Sequence, residues 1–130
     1  MSRIMGEDQA DQGFTLIELL VVVIIIGLLA AISIPVFLHQ RSRGYDAHAK
    51  SDLRNMALAE ESYLTANFVY TSNVDALRLE GFRKSPNVDG WTATFAADVS
   101  YFLTVCSQSG RQFTYDSSSN GLVESGTCTF

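Results

Sequence analysis

Positive charge is scarce in this chain of 130 residues. Nine lysines and arginines stand against 14 aspartates and glutamates, which gives a net charge of −5. Proteins that bind nucleic acid neutralise phosphates with clustered lysines and arginines, so no nucleic-acid partner is predicted. Disordered and collagen-like classes are also excluded, because 11% of the residues are aromatic and the nine glycines are scattered.

Residues that carry chemistry are also few. His39 and His48 lie on one predicted helix without a third ligand at short spacing, so no metal site is predicted. Neither histidine is in the same half of the chain as Cys106 or Cys128, which argues against a catalytic cysteine. Phosphate loops, Gly-x-Ser-x-Gly turns and Rossmann glycine strings are absent. We therefore predict a protein that is not an enzyme and that has no catalytic residues, metal or cofactor.

Four carboxylates fall near the ends of predicted strands: Asp89, Asp98, Asp116 and Glu124. Calcium loops use closely spaced carboxylates as ligands. No Asp-x-Asp spacing occurs among these four residues. Solvated turn carboxylates are therefore the preferred interpretation.

Charge is nearly absent from residues 14–38, where Glu18 is the single charged residue. A helix of about 20 residues crosses a hydrocarbon core about 30 Å thick, and the run from Leu19 to Leu38 has that length and no polar face. A domain this small cannot bury a helix that is apolar on every side, so a membrane-spanning helix is predicted. A cleaved secretory signal remains an alternative. The segment 31–33 fits a small-x-small site, although residues 1–13 contain three acidic residues and one basic residue.

Glu18 itself has two interpretations. A carboxylate kept in a membrane helix at a free-energy cost usually has a partner. Alternatively, Glu18 lies at the water boundary, where its negative charge interacts favourably with the N-terminus of the helix. The residues alone leave both interpretations open.

The residues around Glu18 resemble the processing site of type IV prepilins and the related pseudopilins. The segment 13–23 reads GFTLIELLVVV. In that family a membrane peptidase cuts after the glycine, the new N-terminal residue is methylated, and a glutamate follows at the fifth position. The resemblance therefore implies processing at Gly13 and Phe14 and an assembly role for Glu18. It also implies helix breaks at Gly27 and Pro35.

The resemblance implies a structural subunit that polymerises through its apolar N-terminal helix into an extracellular type IV pilus. Its partners would be identical subunits, the prepilin peptidase and methylase, the pilus or secretion assembly machinery and, before assembly, membrane lipid. A pseudopilin of a type II secretion or DNA-uptake system is one alternative. A signal-anchored or secreted binding domain that does not polymerise is another.

The expected orientation rests on the resemblance and the cysteines. Family leaders are usually short and basic, whereas residues 1–13 are acidic. Arg41 and Arg43 outnumber Arg3, and by the positive-inside rule alone this places the C-terminal domain in the cytoplasm. The leader motif and the cysteines favour export. We therefore predict a single-pass precursor with its C-terminal domain outside the membrane.

Beyond residue 38 the sequence predicts the helical part of an α+β fold. Apolar residues at helical spacing mark one face of an amphipathic helix: Tyr45, Ala49, Leu53, Met56, Ala57, Leu64 and Phe68. Four charged residues are predicted outside this face: Asp46, Lys50, Arg54 and Glu61. The first two form an i,i+4 acid–base pair. One helix is predicted from Phe14 to about Asn67, with a bend or loosening at 31–34 because Pro35 lacks an amide hydrogen.

The rest of the chain predicts a small sheet. Residues 71–90 are predicted to form a loop, with a short helical turn at 75–79 and Gly81-Phe82 as a turn and an anchor. Alternation of period two beyond residue 90, including Val99 to Cys106, predicts an antiparallel meander of three or four strands that packs on the helix. The predicted divisions are a leader (1–13), a membrane and assembly helix (14–38), an amphipathic half-helix (39–68) and a loop with a sheet (69–130).

The two cysteines of the predicted sheet indicate one disulfide if this half is exported. A bond between Cys106 and Cys128 would close a loop of about 22 residues and contribute roughly 3 kcal/mol. Two free buried thiols are the alternative if this half is cytosolic.

Overall fold

The computed structural model describes residues 13–96, 100–119 and 121–128. It divides into two compact units, Met1–Phe37 and Leu38–Phe130. Most of the predicted leader, together with Asp98, Val99 and Asn120, lies outside the described residues.

Helix α1 runs from Leu16 to Asn67. It begins two residues after the predicted start and ends at the predicted residue. The large apolar residues in its first part, from Leu16 to Leu38, are between 48% and 86% exposed, and Phe14 just before the helix is 90% exposed. Within the described residues, α1 is the one helix long and apolar enough to cross a membrane. The prediction of a helix that is apolar all round is confirmed.

The part of α1 that belongs to the second unit buries one face. Ala49, Leu53, Met56 and Ala57 are between 0% and 6% exposed, so the centre of the predicted stripe is confirmed. The stripe is wrong at its C-terminal end, because Phe68 is 86% exposed and lies beyond the last helical residue.

A short helix and a turn follow α1. Helix α2 spans Val74–Leu79, where a helical turn is predicted, and Asn73 caps it by accepting a hydrogen bond from the amide of Asp75 at 2.9 Å. Gly81 has a φ of +100°, and the next residue, Phe82, is buried. The rings of Phe82 and Trp91 pack edge to face with their centroids 5.2 Å apart. Phe82 therefore anchors this segment to the sheet, as predicted.

Four antiparallel strands form the sheet: β1 (Val88–Ala96), β2 (Ser100–Ser107), β3 (Arg111–Asp116) and β4 (Gly121–Thr127). Their order in space follows the chain, which confirms the predicted meander. Along β2 buried and half-buried residues alternate, and Tyr101, Leu103 and Val105 face the core. These residues and Phe113 of β3 form one buried cluster with the stripe of α1.

Cys106 of β2 and Cys128 after β4 form a disulfide, as predicted, and the alternative of two free thiols is wrong. Gly90 lies beside this bond at the bulge where the β1–β2 register shifts. Its φ is +64°, and a Cβ at this position would be 3.2 Å from Sγ of Cys106. Glycine is therefore required at residue 90 both by the backbone and by the sulfur.

The described carboxylates near the strand ends have protein partners. Asp89 pairs with Lys84 at 2.8 Å, and Asp116 accepts a hydrogen bond from the amide of Ser118 at 2.9 Å. Glu124 lies 3.9 Å from Arg111. In the part of the chain that the structure describes, no three histidine, cysteine, aspartate or glutamate side chains are placed to hold a metal ion.

Candidate processing and assembly site

Thr15 and Glu18 form a reciprocal cap at the start of α1. The amide and the hydroxyl of Thr15 donate to Oε2 of Glu18 at 2.9 and 2.7 Å. The amide of Glu18 donates back to the hydroxyl oxygen of Thr15 at 3.3 Å. This is the capping box that a threonine three residues before a glutamate favours. The Thr-x-x-Glu spacing in the sequence was the signal for it, and the residue-by-residue interpretation of Glu18 missed it.

Glu18 has apolar neighbours on both sides along the helix. Phe14, Ile17, Val21 and Val22 line a shallow cavity of about 400 Å³ together with Glu18. In the single chain its carboxylate is therefore held by the cap and bordered by exposed hydrocarbon. This arrangement supports the helix-terminus interpretation of Glu18 in the monomer. It also leaves the carboxylate beside a surface that a neighbouring subunit could cover.

Gly13 and Phe14 precede the helix and are exposed. A Cβ at residue 13 would meet no atom within 4 Å, and its φ is not in the left-handed region. The fold of this chain therefore places no demand for glycine at residue 13. A requirement for glycine here would have to come from a second protein that binds this segment.

Gly27 and Pro35 lie inside α1, which is continuous through both residues. Pro35 has no amide hydrogen, so the carbonyl of Ala31 lacks the helical donor that follows it by four residues. A Cβ at residue 27 would meet no atom within 4 Å, so the monomer does not require glycine there either. The loosening of the helix at these residues stays a prediction.

Comparison with known proteins assigns this segment. A profile of the prokaryotic N-terminal methylation motif matches residues 8–34. The chain is 33% identical over 116 residues to the type IV wide pilus major component of Thermus thermophilus. The matched stretch covers 89% of this chain and 88% of the relative. The chain belongs to the type IV pilin family. The resemblance seen in residues 13–23 is thereby confirmed.

Two other relatives match over shorter stretches of this pilin chain. It is 39% identical over 69 residues to the type IV major pilin of Myxococcus xanthus, of which it covers 31%. It is 39% identical over 76 residues to the type II secretion system core protein G of Pseudomonas aeruginosa, of which it covers 52%. The relatives therefore include both pilins and a secretion-system protein.

Residues 39–130, called the pilin domain below, include three buried acidic residues on α1, and each holds a different segment. Asp46 accepts a hydrogen bond from Ser109 and pairs with Arg111 at 3.2 Å. Asp52 accepts from the amide and the hydroxyl of Ser85, both at 2.7 Å.

The third buried acid, Glu60, accepts a hydrogen bond from the amide of Thr71 at 3.1 Å.

Asp46 was predicted outside the buried face and paired with Lys50, and this prediction is wrong. Asp46 is 5% exposed because the β2–β3 turn covers it, while the Lys50 ammonium lies 4.9 Å from the centroid of the Phe113 ring.

Glu60 differs from the other two acids in that one of its carboxyl oxygens is buried without a partner in the described part of the chain and its pKa is raised. It is fully buried, and its Oε1 atom has no hydrogen-bond partner among the residues that the structure describes. Burial raises the pKa of Glu60 from 4.5 to about 7, against the lowering effect of the Thr71 amide. The carboxylate of neighbouring Glu61 raises it further. Near neutral pH this carboxyl group is therefore partly protonated.

The unfolding free energy of the pilin domain should decrease as the pH rises, because of Glu60. The folded-state pKa lies above the unfolded-state value, so the stabilisation is complete below pH 4.5 and is lost as the pH rises through about 7. This difference corresponds to about 3 kcal/mol. Chemical unfolding of a fragment comprising residues 39–130 at a series of pH values would measure it.

Two variants isolate the contribution of Glu60 to this slope. Glu60→Gln cannot ionise and should lose most of the decline between pH 4.5 and 7. Glu80→Gln removes an exposed carboxylate at the end of α2 and should keep the decline. Equal slopes in the wild type and in Glu60→Gln would contradict the account.

Proposed function

We propose that this pilin is the structural subunit of a type IV pilus, made as a prepilin and polymerised through its N-terminal apolar helix into an extracellular fibre. The observation that carries this proposal is the match over nearly the whole chain to a major pilus component. The exposed apolar surface of residues 14–38, most of which belong to α1, supports it. Such a helix is stable as a monomer in a bilayer, and it is equally stable in the dry centre of a bundle of identical subunits.

The proposed maturation begins at the membrane. A prepilin peptidase cuts after Gly13, so that residues 1–13 are the leader, and Phe14 becomes a methylated N-terminal residue with a cationic amine. The exposed, open backbone at Gly13 supports this step. Residues 14–38 hold the precursor in the membrane, and the pilin domain, residues 39–130, lies outside. Phospholipid, the peptidase and the pilus assembly machinery are its partners until it enters the fibre.

Glu18 has a second role in the proposed assembly. When a helix leaves the bilayer for the fibre, its carboxylate is taken from the water boundary into a dry environment. A neighbour's Phe14 amine would neutralise it there, since a buried charge needs a counter-charge. Because the pair forms at only one axial offset between subunits, it also fixes their stagger. Gly27 and Pro35 would let the helix loosen as it packs.

A pseudopilin of a secretion system is the second candidate. The 39% identity over 76 residues to the type II secretion system core protein G is the observation that favours it. A pseudopilin forms a short fibre that stays in the cell envelope, whereas a pilin forms long fibres that shear from the surface. We propose no catalytic role in either case.

Processing can be tested at Gly13. Gly13→Val should leave the fold unchanged, since a Cβ at residue 13 has no described atom within 4 Å, and should block cleavage because a bulky residue obstructs the peptidase. The measurement is the electrophoretic and intact mass of the membrane-bound chain. Gly44→Val is the matched control, because residue 44 is also open and lies outside the site.

The control variant should be cleaved and assembled normally. Normal cleavage of the Gly13→Val chain would contradict the proposed site, as would fibres built from the uncut chain. Long fibres sheared from cells that make the wild-type chain would favour the pilin over the pseudopilin.

A further inference from the structure

The end of α1 has an unusual backbone. Phe68 has a φ of +59°, and among the described residues no other residue besides glycine has a positive φ. Its amide donates to the carbonyl of Leu64 at 2.7 Å, so Phe68 is the residue that terminates the helix. Glycine or asparagine normally occupies this position, because the Cβ of other residues is crowded in the left-handed conformation.

The left-handed turn has a clear structural purpose. It redirects the chain so that the ring of Tyr70 packs against that of Tyr101, with centroids 4.7 Å apart. One residue later, the amide of Thr71 reaches the carboxylate of Glu60 at 3.1 Å. The fold therefore requires the turn at residue 68, but it would be served better by glycine.

The phenylalanine ring does not compensate for this strain within its own chain. The side chain of Phe68 is 86% exposed, and that of the next residue, Val69, is 58% exposed. A single exposed apolar residue is ordinary on a protein surface. Here the exposed ring and the strained backbone fall on the same residue, and both are unfavourable in the monomer.

We infer that Phe68 is a contact residue between neighbouring copies of this chain in the fibre, a conclusion that rests on the proposed function. The occupant is a second copy because the proposed fibre consists of identical copies of this chain, so a surface that covers Phe68 within the fibre belongs to another copy. In an open assembly each subunit presents one patch to a different surface of the next subunit. Buried aromatic side chains contribute most to such contacts, and Phe68 with Val69 presents one in a fixed position.

The test uses a variant whose two effects have opposite signs. Phe68→Gly in the full chain relieves the backbone strain, so the thermal midpoint of the detergent-solubilised monomer should rise by about 2–4 °C. It also removes the anchor, so the yield of sheared fibres should fall by about tenfold or more. A stabilised subunit that assembles poorly is not expected if residue 68 serves folding alone.

Two matched variants accompany it. Phe68→Tyr keeps the ring and the strain and should behave as the wild type in both measurements. Leu79→Ser removes a side chain that is 90% exposed in α2 without positive φ, and it should leave the fibre yield unchanged. An equal loss of fibres in Leu79→Ser would overturn a specific role for Phe68.

The partner is identified by a photo-cross-linker, p-benzoylphenylalanine, placed at residue 68 in assembled fibres. The expected product is a covalent dimer of the mature chain. An adduct with a different protein, or no adduct, would overturn the inference. Fibre loss together with a lowered midpoint would also overturn it, since that result marks a folding defect.

The outcomes separate this inference from the proposed function. If the wild-type chain forms fibres and the Phe68→Gly fibres are equally abundant and stable, the contact is wrong and the pilus function stands. If the wild-type chain forms no fibres under conditions that support processing, the proposed function fails and the contact fails with it.

Discussion

Replacing Glu18 with valine should abolish fibres while leaving the chain processed and in the membrane. Insertion should be unimpaired, because removing a carboxylate lowers the cost of placing the helix in a bilayer. Cleavage should persist, because the peptidase acts at the bond between Gly13 and Phe14. Assembly should fail, because the amine of a neighbour's Phe14 would be buried without its counter-charge, which costs about 3–5 kcal/mol for a pair broken on one side.

The structure supplies a control that separates the two roles of Glu18. In the monomer Glu18 caps the helix together with Thr15. Thr15→Val removes the hydroxyl from this cap and keeps the carboxylate, so it weakens the cap alone. We expect Thr15→Val to assemble nearly as well as the wild type, and Glu18→Gln to give an intermediate yield because it keeps a hydrogen bond without the charge.

The measurement is the amount of sheared fibre seen by electron microscopy, with membrane fractionation of the same cells. Normal fibres from Glu18→Val would contradict the pairing and leave Glu18 with its capping role. Equal loss of fibres in Thr15→Val and Glu18→Val would point to the cap as the function of both residues.

Removing the disulfide should have the largest effect on the stability of the pilin domain. The Cys106–Cys128 bond has a sequence separation of 22 residues and joins β2 to the segment that follows β4. Without it, the last strand is held by its ladder to β3 and by the bond from the Cys128 amide to the Gly110 carbonyl at 2.9 Å. We expect the double variant Cys106→Ser, Cys128→Ser to lose about 2–5 kcal/mol of unfolding free energy.

Thermal unfolding of the fragment 39–130 with and without a reducing agent checks this expectation. The wild-type fragment should lose stability on reduction, whereas the double variant should be insensitive to the reducing agent. Membrane insertion of the full-length double variant should be normal, since residues 14–38 are unchanged. An unchanged midpoint of the wild-type fragment on reduction would mean that the bond contributes nothing to stability.

Periodicity was enough to predict the elements that pack by burying apolar side chains. The stripe at Ala49, Leu53 and Met56 and the alternation along β2 are properties of the local sequence, because each element must bury one face. The order of the sheet also followed, since short turn sequences join consecutive strands as neighbours. The disulfide was predictable because only two cysteines are present.

The buried acids were not predictable in the same way. Asp46 shares the face of Ala49 and Leu53 in position, but residue type alone assigns an aspartate to solvent. Its burial depends on Arg111, which is 65 residues further along the chain and reaches it only when the sheet is formed. The partner of Glu60 is likewise a backbone amide in the segment that follows the helix.

The site at the start of α1 was predicted in its residues and only partly in its geometry. The family resemblance singled out Gly13, Phe14 and Glu18, and the roles of these residues remain proposals. The cap formed by Thr15 was available from the Thr-x-x-Glu spacing. The left-handed conformation of Phe68 could not be predicted from the sequence. By its spacing Phe68 fits the apolar stripe of the helix, and only the direction of the chain that follows places its side chain in solvent.

The intact mass of the chain recovered from sheared fibres tests the central claim most directly. The account predicts a mature chain that begins at Phe14, lacks residues 1–13 and carries one additional methyl group, with the disulfide intact. A chain that retains residues 1–13, or one that begins after Ser33 as a secretory signal cleavage would produce, would contradict the account.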